Sequence, residues 1–61
     1  MRQTQFDGRL ADIVGAHPHA GCEAKCLGGK MAGSEWGLVF QREDTGEEFF
    51  VFNAIHVEWK K

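Results

Sequence analysis

Both cysteines of the chain and two of its three histidines fall in one stretch, HPHAGCEAKC, running from His17 to Cys26. Imidazole nitrogen and thiolate sulfur are the ligands of tetrahedral zinc, and a bound ion would add folding energy to a small domain. Pro18 biases His17 toward an extended backbone. In an extended His17-Pro18-His19 the two imidazoles point the same way, because alternate residues share a side. Cys22-Glu23-Ala24-Lys25-Cys26 accepts a helical turn, in which an i, i+4 pair shares one face, and Gly28-Gly29 would end it. On this reading His17, His19, Cys22 and Cys26 form a Cys₂His₂ set for zinc. Against it, zinc ordinarily joins segments a dozen or more residues apart. Ligands crowded into one short stretch close only small loops. The same residues also read as a reduced polar loop, a local disulfide, a redox-sensitive thiol pair, or a metal site shared between subunits. His56 is expected to be a solvated side chain.

A thiol beside an imidazole offers a nucleophile and a base. Nothing in the sequence supplies a group to orient them or a sizeable pocket, so no catalytic residue is assigned and an enzyme is not expected. LGGKMAGS, residues 27–34, combines glycines with Lys30 but lacks the residue order of a phosphate-binding loop. It reads as a connection. The acidic group Glu43, Asp44, Glu47 and Glu48 does not match a calcium loop. It reads as a solvated turn whose charges discourage edge pairing.

The elements that must position these groups belong to a single short domain of 61 residues. Chains of this size bury a small share of their surface and have a thin stability margin. A metal, a disulfide or burial against further copies would widen it. No apolar run approaches the roughly 20 residues of a membrane span. The opening MRQTQFDGRL lacks the apolar core of a secretory signal, so a cytoplasmic location with reduced thiols is expected. The net charge of −2 and the dispersed basic residues argue against a general phosphate-binding surface.

The second half of the chain alternates. EWGLVFQRED places Trp36, Leu38 and Phe40 at a period of two, and EEFFVF resumes with aromatic and β-branched residues of high strand preference. Thr45 suits a two-residue hairpin turn poorly. A three-residue loop, Asp44-Thr45-Gly46 with Gly46 left-handed, fits better. That loop would set Phe40 opposite Phe50 and Leu38 opposite Phe52, with Trp36 on the same face. Val39, Val51 and Phe49 would share the other face. Both faces are apolar, so a cover on each side is expected. The alternation breaks at Asn53-Ala54, and Ile55, Val57 and Trp59 begin a final strand on a new heading.

TQFDGRLADIVG is more ambiguous. Phe6, Leu10, Ile13 and Val14 sit at helical spacing, and Thr4 with Asp7 resembles a capping box. Gly8 weakens a helix by about 1 kcal/mol relative to Ala. A bent strand is the preferred reading, with Phe6, Gly8 and Leu10 on one face and a bulge before Ile13. A short helical turn or strand is expected around residues 22–31.

The fold class is therefore mainly β. FDGRLADI and FFVFNAIHVEW, about half the chain, resemble the opening strand and the last two strands of the SH3-like and Sm-like small barrels. That resemblance implies five short strands closed into a barrel, with one short helix at most. In Sm-like RNA-binding proteins the turn before the last strand contacts nucleotides through a basic or histidine-containing signature. Here Asn53-Ala54 occupies that position and carries no cation.

Three functional readings follow. In the first, the chain is a non-enzymatic binding module for a protein partner, self-associating as a homo-oligomer, with Phe49, Val51 and Trp59 as contact residues. In the second it binds single-stranded nucleic acid through a ring or groove, using aromatics with Arg9, Lys30 and Lys60. A zinc-stabilised domain built on residues 17–26 is a third reading.

Overall fold

The computed structural model describes residues 1–60; Lys61, one of the basic residues, lies outside them. Five antiparallel strands form one sheet: β1 Leu10–Ile13, β2 Glu23–Ala32, β3 Glu35–Arg42, β4 Glu48–Val51 and β5 Val57–Trp59. Their order across the sheet is β4-β3-β2-β1-β5, so β4 and β5 are its two edges. The mainly β expectation holds. The sheet is not closed into a barrel. It is nevertheless curled: its extents of 27 × 23 × 21 Å far exceed the roughly 10 Å depth of a flat layer.

After Phe52 the chain makes one 3-10 turn, Ala54–His56, before β5. The Asn53 side chain caps this turn by accepting the Ile55 N–H (3.1 Å), which accounts for the break in alternation. The final strand does change heading. It crosses to the far edge and pairs with β1, with Ala11 opposite Trp59 and Ile13 opposite Val57.

The β3–β4 register differs by one residue from the expected one. Phe40 lies opposite Phe49, Leu38 opposite Val51 and Val39 opposite Phe50. The cause is a loop of four residues, 43–46. Arg42 N–H donates to the Glu47 carbonyl (2.9 Å), and Gly46 N–H donates back to the Arg42 carbonyl (3.0 Å). Gly46 is left-handed as anticipated, at φ +78°. Asp44 is held inside the loop by a two-pronged pair with Arg42 (2.9 and 2.8 Å), which pushes its carboxyl down to about 2. Because side chains alternate, the slip exchanges the faces of β4. Phe49 and Val51 now join Leu38 and Phe40 inside, and Phe50 turns outward beside Val39.

The segment before β1 is extended only at its ends. Arg2 pairs with Gly29 and β1 pairs with the start of β2, while residues 5–8 form a turn between them. Asp7 closes that turn by accepting from both the N–H (3.1 Å) and the hydroxyl (2.8 Å) of Thr4. The inward residues of β1 are Ala11 and Ile13, and Leu10 is exposed. Residues 27–32, expected as a connection, belong to β2, with a register shift between Cys26 and Gly28. Ala11, Ile13, Cys22, Ala24, Cys26, Phe40 and Val51 make the core, and Phe6, Leu38, Phe49, Val57 and Trp59 pack around it.

Candidate functional site

The cysteines lie along a pleat, not on a helical face. Cys22, Ala24 and Cys26 alternate inward with Glu23 and Lys25 outside them. Two residues four apart in extended chain are separated by about 13 Å. Thiolates that share a zinc ion each lie only about 2.3 Å from it. The expected set His17, His19, Cys22 and Cys26 is therefore not brought together. Among the described residues no group of three or more histidine, cysteine or acidic side chains is placed to hold a metal ion.

Both thiols are free and buried. Burial pushes both pKa values up, opposed at Cys22 by the charge of Arg42 and at Cys26 by backbone hydrogen bonding from Gly28. A thiolate is the reactive form, so these are inert sulfurs. In native buffer a disulfide reagent should label neither cysteine on the timescale on which it labels both in denaturant. Rapid native labelling of Cys26 would show that the core packing described here is wrong.

The expected contact residues face inward. Val51 is 3% exposed and part of the core. Phe49 is half-buried and stacks on His19, with ring centroids 4.3 Å apart. Trp59 lies parallel to Phe6 at 4.6 Å, and Arg9 sits 5.1 Å over its ring. Lys60 is tied to Glu23 (2.9 Å) and Asp12 (3.6 Å). Lys30 lies 5.8 Å over Phe50 on the outer face. Lys60 is thus held by carboxylates, apart from Arg9 and Lys30, which lie over aromatic rings.

An open apolar groove of about 200 Å³ lies at the seam left between β4 and β5. Leu38, Val51 and Val57 line it from the core side, with Phe6, Trp36 and Phe52 around them. Trp36 is 43% exposed and Phe52 is 53% exposed, large losses for side chains of this kind. The position of Trp36 has a local cause: it lies over Gly29, where a Cβ would overlap its ring. The Arg2–Gly29 bridge then holds the Arg2 guanidinium 5.9 Å over the same ring. Alternation placed Trp36 and Phe52 on one apolar hairpin face but gave neither a contact role, and Arg2 was not singled out. The signal available was a pair of glycines, Gly28-Gly29, with the second seven residues upstream of a tryptophan in a hairpin.

His56 is not simply solvated: its ring packs 5.5 Å from that of His17. No helix among the described residues is long and apolar enough to cross a membrane. No protein-family model matches the sequence, and neither the curated proteins nor the solved structures gave a match.

Proposed function

We propose that this chain is a non-enzymatic binding module, an SH3-like or Sm-like small barrel left open at one seam, whose groove takes an extended apolar segment of a protein partner. The observation that carries the reading is the groove itself. It offers room for one or two apolar side chains between exposed aromatic rims, and the free edges of β4 and β5 leave backbone groups beside it for main-chain pairing. Arg2 and Lys30 lie over aromatic rings at 5.9 and 5.8 Å, whereas the carboxylates of residues 43–48 gather at the hairpin tip. An acidic residue flanking the apolar anchor is the matching partner chemistry. The same rims support self-association when no partner is present.

The test is selection from a display library of short peptides, followed by calorimetry with Trp36→Ala. Apolar, acid-flanked peptides should be recovered, and the variant should bind them at least about tenfold more weakly while keeping its circular dichroism. Unchanged affinity in the variant would remove the groove from the interface.

A second reading rests on the cations. Arg2 over Trp36 and Lys30 over Phe50, with Phe50 edge-on to Phe52 at 4.4 Å, place charge beside stacking surfaces suited to single-stranded nucleic acid. Oligothymidylate is the probe. Binding that weakens steeply between about 50 and 200 mM salt would favour this reading over the first.

A further inference from the structure

All three histidines of the chain converge, though 39 residues separate the first from the last. Ring centroids of His17 and His19 are 5.9 Å apart, and those of His17 and His56 are 5.5 Å apart. The proton on each ring follows from its partners. The backbone N–H of His19 donates to Nδ1 of His17 (3.1 Å), so that nitrogen is bare and the His17 proton sits on Nε2. From there it is directed to the Phe50 carbonyl at 3.4 Å. A guanidinium only donates, so Arg42 at 3.2 Å makes Nδ1 of His19 an acceptor as well. His56 is the reverse case: its Nδ1–H donates to the Val14 carbonyl (3.1 Å).

We propose that His17 and His19 form an acid-released clamp that holds the loop after β1 across the open seam of the sheet. The contacts reach every element bordering that loop. His17 touches the backbone of β4 and the ring of His56 in the 3-10 turn, His19 meets Arg42 of β3, and Val14 N–H donates to the His56 carbonyl (2.9 Å). The clamp works whatever occupies the groove.

Protonation is incompatible with this arrangement. A proton on Nδ1 of His17 would face the His19 N–H, and one on Nδ1 of His19 would face the guanidinium of Arg42. Arg42 is already paired to Asp44, the only carboxylate bound to it among the described residues, and Cys22 stays a neutral thiol. Among the described residues no carboxylate is hydrogen-bonded to any of the three rings. The stack of His19 on Phe49 tolerates a charged ring. It is the Arg42 contact and the His17 acceptor that are lost, because like charges at contact distance repel more strongly than an aromatic face attracts. The clamp is therefore closed while both rings are neutral and opens when either takes a second proton.

Amide hydrogen exchange, corrected for the chemical rate, reads this directly. Between about pH 8 and pH 5 the amides of Val14, His19 and Ala20 should lose about tenfold in protection, as expected for two ordinary hydrogen bonds, while Cys26 and Phe40 in the sheet hold theirs. The double variant His17→Asn, His19→Asn keeps an uncharged acceptor at both places. Its loop should show no such pH response. An unchanged wild-type loop, or a variant that responds like the wild type, would overturn the clamp. Should the variant fail to fold, nitrogen-15 spectra of the wild-type imidazoles decide. Bare Nδ1 on His17 and His19 with a protonated Nδ1 on His56 sustains the proposal, and a proton on Nδ1 of His17 ends it.

Discussion

Phe40→Ala should leave the chain without a cooperative thermal transition near room temperature. Phe40 is fully buried, the largest such side chain, and its ring lies within 6.0 Å of Phe49 and 5.8 Å of Trp59. Truncating a buried phenylalanine costs about 3–5 kcal/mol. A domain of this length has roughly 3–9 kcal/mol in total. The loss is comparable to the whole margin, and no second layer exists to absorb it. Phe52→Ala, at a side chain 53% exposed, is the control and should melt within a few degrees of the parent. Urea titration followed by circular dichroism separates the two. A Phe40→Ala variant as stable as the control would place the core elsewhere.

Gly37→Ala is the second large effect, and it acts by adding one methyl group. A Cβ at residue 37 would lie 2.6 Å from both the Val51 carbonyl oxygen and Cζ of Phe50. The ring can turn away. The carbonyl belongs to the end of β4 and moves only if the β3–β4 ladder opens. Overpacking of this kind costs about 1–3 kcal/mol. Because Gly37, Leu38 and Val51 all border the groove, the variant should also bind groove ligands less tightly than its lower melting temperature alone explains. A variant that melts like the parent would show that the strand ends part without cost.

The strands that carry large apolar residues at alternate positions were legible: Trp36 to Phe40, the run after Glu48, and the change of phase at Asn53. Their register was not. One residue more in the loop, held there by the Arg42–Asp44 pair, exchanges the two faces of β4, and nothing in the residue types around Gly46 distinguishes three loop residues from four. β2 was obscured for a different reason. Its inward side is made of Cys22, Ala24 and Cys26, small residues interleaved with Glu23 and Lys25, and the string Glu-Ala-Lys has the composition of a helix. Those small side chains share one core with the larger Phe40 and Ile13. Without that helical turn the two thiols are spread along extended chain, so the local ligand set is not assembled. The groove and the histidine cluster were hidden by distance along the chain: Phe6 meets Trp59, and His17 meets His56, only when the last segment has crossed to the far edge.

That crossing has a consequence for how the chain folds as it is made. β5 pairs with β1, so residues 57–59 complete the environment of residues 11–13, and Phe6 has no ring to stack on until Trp59 arrives. The β2–β3–β4 meander can form early from neighbouring segments, but its apolar face stays uncovered until residue 59 has left the ribosome. Contacts between distant parts of a chain close slowly. The nascent protein is thus exposed to aggregation and proteolysis until Trp59 has emerged and β5 can pair with β1.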